Sequence, residues 1–338
     1  MKEAYLYEKR GDGAVQCKLC GHGCTVAPGE RGICQVRENR SGVLYSLVYD
    51  KVVSRAVDPI EKKPLFHLMP GSRCYSLATV GCNFTCSFCQ NWDLSQHPRL
   101  ADGGGDLPGH PVPPKDLVAD ALGRGCHSMA FTYGEPTVFF ELCLDTAILA
   151  RRQGIATVLV TNGFMTPEAT AMIAPHLTAA NVDLKSGSDA WYRRVCGGRL
   201  KPVKDTVAAL HQAGVLVEVT TLLIPGENDA ESELADIAEF LAGIDPLIPW
   251  HLSAFHPDYR MQDRPRTPAA ALEKAVAVGQ QAGLSYIYTG NLFGRGREDS
   301  RCHHCGGELV VRQGYTVTRN LLRGSACPHC GQAVPFVA

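Results

Sequence analysis

From Ser76 to about residue 290 the chain alternates short apolar runs with stretches in which apolar side chains recur at helical spacing. The runs predict strands at 77–80, 128–132, 156–160, 180–184, 215–223, 251–255 and 285–288. Between them the spacing predicts helices over 114–123, 138–153, 167–176, 203–213, 230–242 and 268–282. This rhythm builds βαβ units and a parallel sheet. Six or seven such units predict an α/β fold of the TIM-like (β/α)6 kind, partial or full, because periodicity alone does not decide closure.

The flanks have a different texture. Residues 1 to about 40 are polar, glycine-rich and cysteine-bearing, too short to bury a core alone, and 43–57 alternates as a short strand pair would. Residues 58–73 read as an irregular connector, and 101–114, with Gly103, Gly104, Gly105 and four prolines, as an excursion after the first strand. The expected organisation is a cysteine-rich extension and connector (1–73), the α/β region (74–294) and a separate C-terminal module (301–338).

A chain of 338 residues with 45% apolar and 20% charged side chains has ample material for a core. Its 33 basic and 34 acidic residues leave a net charge of −1, which argues against a non-specific nucleic-acid binder. The longest apolar run, 215–224, is interrupted by Glu218, and the first nine residues lack the apolar stretch of a signal peptide. A soluble, cytoplasmic protein with no membrane partner is expected.

Fifteen cysteines are the anomaly. Disulfides staple small cores, whereas this core is large, the count is odd, and most of the cysteines are clustered. Cys17/Cys20/Cys24/Cys34, Cys82/Cys86/Cys89 and Cys302/Cys305/Cys327/Cys330 read as metal sites, while Cys74, Cys126, Cys143 and Cys196 read as small buried hydrophobes. The central set has the spacing C-x3-C-x2-C directly after the first predicted strand of the α/β region. Three thiolates from one loop can hold three irons of a [4Fe–4S] cube and leave the fourth open, as a catalytic rather than a closed site requires. The competing reading is a zinc knuckle or structural cluster that borrows Cys74 as fourth ligand.

With Phe88 before the last cysteine and the αβ rhythm after it, residues 76 to about 290 resemble the radical SAM superfamily. More narrowly, they resemble the glycyl-radical-enzyme activases, of which pyruvate formate-lyase activating enzyme is the type. Tyr133-Gly134-Glu135-Pro136 is similar to the Gly-Gly-Glu-Pro of those enzymes, with tyrosine at the first glycine. Thr161-Asn162-Gly163, Asp183-Leu184-Lys185, Ile224-Pro225-Gly226-Glu227-Asn228-Asp229 and Phe255-His256 follow on successive strand ends in the order found there. The whole chain, including Arg31-Gly32-Ile33-Cys34, the stretch from Val57 to His67, and Phe255-His256-Pro257-Asp258-Tyr259, resembles the AmmeMemoRadiSam-system radical SAM enzymes.

The resemblance implies a [4Fe–4S] cluster on Cys82, Cys86 and Cys89, and S-adenosylmethionine held by Phe88, Gln90, Gly134, Glu135, Thr161, Asn162, Asp183, Lys185 and His256. Glu135 would receive the methionyl ammonium, and Asp183 and Lys185 would face the cofactor rather than merely pair with each other. It further implies an electron donor such as flavodoxin or ferredoxin, with Memo-like and AMMECR-like proteins as partners.

Cys302, Cys305, Cys327 and Cys330 form two C-x2-C knuckles around a hairpin turn at Gln313-Gly314, the pattern of a zinc ribbon with a structural or docking role. Cys17, Cys20, Cys24 and Cys34 (C-x2-C-x3-C-x9-C) suit zinc or an auxiliary iron–sulfur cluster, since four thiolates do not decide the metal. Three functions stay open at this point: radical chemistry on a protein partner, the same chemistry on a small molecule, or a non-catalytic zinc/iron–sulfur scaffold or nucleic-acid-binding protein.

Overall fold

The structure, a computed structural model, describes residues 1–100, 106–292 and 296–338. Eight strands stand in sequence order in one sheet: β1 (Ser54–Pro59), β2 (Arg73–Ala78), β3 (Ser128–Phe131), β4 (Ala156–Thr161), β5 (Ala179–Asp183), β6 (Leu216–Leu223), β7 (Trp250–Ala254) and β8 (Ile287–Gly290). The first is antiparallel to β2, and every later neighbour is parallel. Six longer helices connect the parallel strands: α1 (Pro114–Gly123), α2 (Phe140–Arg152), α3 (Pro167–Ile173), α4 (Leu200–Gln212), α5 (Glu231–Ile244) and α6 (Ala269–Gln281). Proline at the first turn starts α1 and α3, and Thr166 caps α3 by accepting the Ala169 N–H at 3.1 Å. Right-handed crossovers that always advance in one direction lay the helices on one face of the sheet, where α1 packs on α2, α3 on α4 and α5 on α6.

A fully closed barrel does not form. Among the described residues β1 and β8 are the sheet's two edges. The reason is local: β1 pairs along β2 from Ser54↔Ala78 to Pro59↔Arg73 and so fills the edge on which a closing parallel strand would dock. The strand expected at 77–80 begins at Arg73 instead, since polar Ser76 is an inward position of the same strand and not its boundary. Residues 43–57 do not pair with themselves. Val43–Ser46 joins Arg37–Arg40 and Lys2–Glu3, whereas Ser54–Pro59 joins the main sheet. Gly103, Gly104 and Gly105 of the expected excursion lie outside the described residues, as does Gly294 at the end of the expected α/β region.

What fills the sheet's other face is the connector. Ile60, Leu65 and Leu68 pack with Cys74, Ala130, Val158 and Ala179 in one buried cluster. Polar strand residues grip its backbone: Asn181 Nδ2 donates to Pro64 O at 2.8 Å, and Glu218 accepts the N–H groups of Phe66 (3.0 Å) and His67 (2.8 Å). Glu218 is fully buried and also meets His251 Nε2 at 2.6 Å. A carboxylate with three donors is a tolerable buried charge; one without them would not be.

The C-terminal residues fold as a three-stranded antiparallel sheet, β9 (Ser300–Arg301), β10 (Glu308–Gln313) and β11 (Thr316–Asn320). Its apolar side is shared with the main body: Leu309, Val310, Val334 and Phe336 cluster with Phe66, Tyr286 and Tyr288. Val337 pairs with Leu68, and His67 stacks on Phe336 at 3.9 Å. Fully buried Arg312 donates to Phe66 O at 2.6 Å and to Ser300 Oγ at 2.8 Å. Among the described residues no helix is long and apolar enough to cross a membrane.

Candidate active site

Because the parallel strands share a direction, their C-terminal ends form one rim, and the loops leaving that rim converge. The loop after β2 carries Cys82, Cys86 and Cys89, all three lining a cavity of about 240 Å³. Two supports hold this loop. Arg99 donates to Cys82 O at 2.8 Å and to Phe84 O at 3.1 Å, from a short helix (His97–Leu100) that the sequence pattern missed. On the other side the Thr85 and Ser87 N–H groups bond the carbonyls of Cys196 (2.8 Å) and Val195 (3.2 Å).

No fourth cysteine lines that cavity among the described residues. Cys74 faces the buried connector with Ala130 and Val158, away from the rim, so it does not complete the set. Cys196, read in the sequence as a small core residue, is indeed fully buried, and its free thiol neighbours that of Cys86. Burial holds the Cys82 and Cys89 thiols above the usual range, and for Cys86 the neighbouring Cys196 thiol is the leading cause, followed by burial. A bound metal reverses that balance by taking the thiolate as ligand, so this donor set fits an iron–sulfur cluster better than free thiols.

Tyr133 stands in the left-handed region at φ +63°, a backbone that glycine adopts freely. Its phenol compensates by donating to Asp58 Oδ2 at 2.7 Å, with Lys63 Nζ 2.8 Å from that carboxylate oxygen, 3.1 Å from the phenol oxygen and 4.4 Å from the ring centroid. Tyrosine in place of the first glycine therefore leaves the loop its glycine-like shape. Gly134 has no such freedom: a Cβ there would sit 2.5 Å from Thr79 O.

Glu135 is buried and accepts four hydrogen bonds. Oε1 takes the Thr137 N–H (3.0 Å), Thr137 Oγ1 (2.7 Å) and Thr161 Oγ1 (2.6 Å), and Oε2 takes the Asn162 N–H at 2.8 Å. Burial raises its pKa despite these donors. Oε1 is thus saturated, and Oε2 keeps acceptor capacity on the cavity side. Asn162 continues the network, its Nδ2 lying 2.7 Å from Asn83 Oδ1 and 3.7 Å from Cys82 Sγ. Thr137 and Asn83 were not singled out in the sequence; Asn83 adjoins Cys82, which was the available signal.

Asp183 and Lys185 both pair and face the cavity: Lys185 Nζ lies 2.8 Å from Asp183 Oδ2, and both residues line the space before the thiols. Burial opposes the lysine's charge, but Asp183 holds its pKa well above the ordinary value. The ammonium also lies 5.7 Å from the centroid of the buried Phe88 ring. Asn228, from the Pro225-Gly226 turn, donates to Lys185 O at 2.6 Å and fixes where that segment leaves β5. His256 does not line the thiol cavity. It lines an adjoining one of about 590 Å³ and meets Gln90 Nε2 at 2.9 Å. Gln90, Thr220, Ser253 and Asn291 border both spaces.

The outer cysteines form two different geometries. Cys302, Cys305, Cys327 and Cys330 converge within 4.8 Å of one another, with Sγ–Sγ edges of 3.8 Å (Cys302–Cys330) and 3.7 Å (Cys305–Cys327). Gly306 and Gly331, both at φ +73°, close the paired knuckles, donating back to Cys302 O and Cys327 O. Cys17, Cys20, Cys24 and Cys34 instead surround a small buried cavity walled by His22, Arg37 and Asn83.

Residues 76–241 match the family model for the radical SAM superfamily. The chain is 39% identical over its full length, and over the full length of the relative, to the uncharacterized protein MJ0808 of Methanocaldococcus jannaschii. It is 23% identical to the pyruvate formate-lyase-activating enzyme of Clostridium pasteurianum, over 54% of this chain and 80% of that one. Among solved structures, Streptococcus suis SuiB bound to S-adenosylmethionine superimposes with a TM-score of 0.50 at 14% identity, over 67% of this chain and 50% of that one, a likeness of fold. Three thiols on the loop after the first parallel strand, and a full-length relative beside the matched model, place the chain in the radical SAM superfamily, with similarity to the pyruvate formate-lyase-activating enzymes.

Proposed function

We propose that the protein takes hydrogen from a substrate seated in the 590 Å³ cavity beside the three thiols. Superfamily membership implies a [4Fe–4S] cluster and S-adenosylmethionine. Bound together, these supply reductive cleavage of a sulfur–carbon bond and a 5′-deoxyadenosyl radical able to abstract hydrogen, with the electron coming from a flavodoxin or ferredoxin. The chain's own residues position and shield. Cys82, Cys86 and Cys89 would hold three irons, and Glu135 Oε2 with the backbone of Gly134 would take the methionyl ammonium. The Asp183–Lys185 pair suits the hydroxyls and carboxylate of the same molecule, offering an acceptor and a cation side by side. Gln90 stands where the two cavities meet, the place for contact between cofactor and substrate, and bonds His256 on the side of the larger cavity.

The observation that carries this reading is the set of three thiols, with no fourth among the described residues, on a cavity that shares lining residues with a second one. Anaerobically reconstituted protein, reduced in the presence of S-adenosylmethionine, should release 5′-deoxyadenosine, and Cys82→Ala should abolish the release. Product from that variant would refute the assignment.

Similarity to activating enzymes supports a protein residue as hydrogen donor, whereas the cavity's size, within the roughly 300–1,000 Å³ usual for ligand sites, suits a small molecule. Deuterium transfer into 5′-deoxyadenosine from labelled candidate peptides or metabolites separates the two. For the C-terminal quartet we infer one zinc ion, because tetrahedral bonds of about 2.3 Å set sulfur atoms about 3.8 Å apart, and the edges are 3.7 and 3.8 Å.

A further inference from the structure

The N-terminal cysteines do not share the C-terminal geometry. Cys17, Cys20, Cys24 and Cys34 all line one buried cavity, so the fold brings together residues spread along a flank with no helix. Yet no three of them lie within 4.8 Å of one another, a distance that all four C-terminal thiols satisfy. A single tetrahedral zinc needs edges of about 3.8 Å. Thiols that surround a space without closing on one point instead suit a larger inorganic core, in which each sulfur has its own metal atom. The catalytic triad provides an internal comparison, because Cys82, Cys86 and Cys89 are open in the same way.

The cavity wall supplies a second, independent observation. Arg37 is 2% exposed and spends Nη1 and Nη2 on Glu141, at 3.0 and 2.5 Å, while its Nε–H has no partner. Asn83 is 1% exposed; its Oδ1 accepts from Asn162, and its Nδ2 has no partner either. Both residues line the thiol cavity. Two orphaned N–H donors beside otherwise apolar walls are a buried cost unless an acceptor occupies the space. The sulfides and thiolates of an iron–sulfur cluster are such acceptors, and its negative charge faces a buried guanidinium.

We propose that Cys17, Cys20, Cys24 and Cys34 hold a second [4Fe–4S] cluster, closed by four thiolates and hydrogen-bonded by Arg37 Nε and Asn83 Nδ2. Its place is next to the catalytic loop: Asn83 follows Cys82 directly, and His22, between Cys20 and Cys24, has its Nε2 2.8 Å from Asn83 O. A closed cluster has no iron free for S-adenosylmethionine, which distinguishes it from the catalytic one.

The test is metal content and spectroscopy, independent of turnover. The triple variant Cys82→Ala/Cys86→Ala/Cys89→Ala, anaerobically reconstituted with iron and sulfide, should retain about four irons and four sulfides per chain. Its reduced electron-paramagnetic signal should not change when S-adenosylmethionine is added. Cys17→Ser/Cys20→Ser should lose those four irons and keep a signal that S-adenosylmethionine perturbs. Should either variant fail to fold, the unmodified chain decides: about eight irons and one zinc support the proposal, and about four irons and two zincs overturn it. A triple variant free of iron but folded also overturns it.

Discussion

Tyr133 keeps a left-handed backbone because its phenol is tied to the carboxylate of Asp58 at 2.7 Å, across the sheet from the strand that carries Asp58. Burial opposes the Asp58 charge, but Lys63, Tyr133, Lys62 and Ser76 outweigh it and hold the carboxyl well below the usual range. With a depressed folded pKa, this stabilisation is present above the ordinary aspartate pKa and disappears as pH falls through the acid range. Tyr133→Phe should therefore cost about 1–3 kcal/mol of stability, since a charge-assisted bond is lost and the strained backbone stays. Tyr133→Gly should recover part of that loss by relieving the strain. Thermal melts of the two variants at neutral pH check the order.

Gly134→Ala should behave differently from ordinary surface substitutions. The new Cβ would meet the carbonyl of Thr79 at 2.5 Å, and backbone cannot step aside as a long side chain does. The loop after β3 must shift, with an expected cost of about 1–3 kcal/mol and a loss of S-adenosylmethionine affinity of tenfold or more. Equilibrium binding to reconstituted protein measures it.

Glu135→Gln tests binding and architecture together. The amide replaces one acceptor oxygen by a donor among groups that already donate: Thr137 N–H and Oγ1, Thr161 Oγ1 and Asn162 N–H. Stability should fall by about 1–3 kcal/mol, along with cofactor affinity. A melt of the cluster-free chain isolates the first effect. Unchanged stability would mean that this network is weaker than its geometry.

His67 makes stability depend on pH in a higher window. Fully buried between Tyr288 OH and Pro335 O, it has its pKa lowered to about 4 from 6.5, burial being the leading cause. The unfolded chain takes up a proton below pH 6.5 that the folded chain refuses until about pH 4, so stability falls as pH drops through that window. The full effect of one such proton is about 3 kcal/mol. His67→Phe, which preserves stacking on Phe336, should show a shallower decline of melting temperature between pH 6.5 and 4.5.

Removing residues 302–338 should damage more than a metal site. Deletion strips Phe336 from His67, uncovers the side of Phe66, Tyr286 and Tyr288 that packs on Leu309, Val310 and Val334, and takes Arg312 from the Phe66 carbonyl. The truncated chain should aggregate or melt well below the intact one, as judged by solubility and calorimetry. Cys302→Ser/Cys305→Ser should lose zinc with a smaller loss of stability, because those packing contacts remain.

Local chemistry was legible in the chain itself. Strand and helix order from Ser76 onward depends on side-chain periodicity, which is a property of neighbours in sequence. So does the grouping of Cys82, Cys86 and Cys89 on one loop, and the pairing of C-x2-C knuckles around the turn at Gln313-Gly314. The rim residues Glu135, Asn162, Asp183 and Lys185 were named by the resemblance of their motifs to those of the activases, and parallel strands bring them together by delivering their ends to one side. Long-range arrangement was not legible. Whether the sheet closes depends on which strand takes the edge of β2, and the answer, Ser54–Pro59, begins in the stretch 43–57 whose alternation suggested pairing with itself and runs into the expected connector. That the connector plugs the inner face depends on Glu218 and Asn181, polar residues within strands whose partners are backbone groups well over 100 positions away. The spread of the N-terminal thiols belongs to the same class: spacing counts residues, and only the fold sets the distance between sulfur atoms.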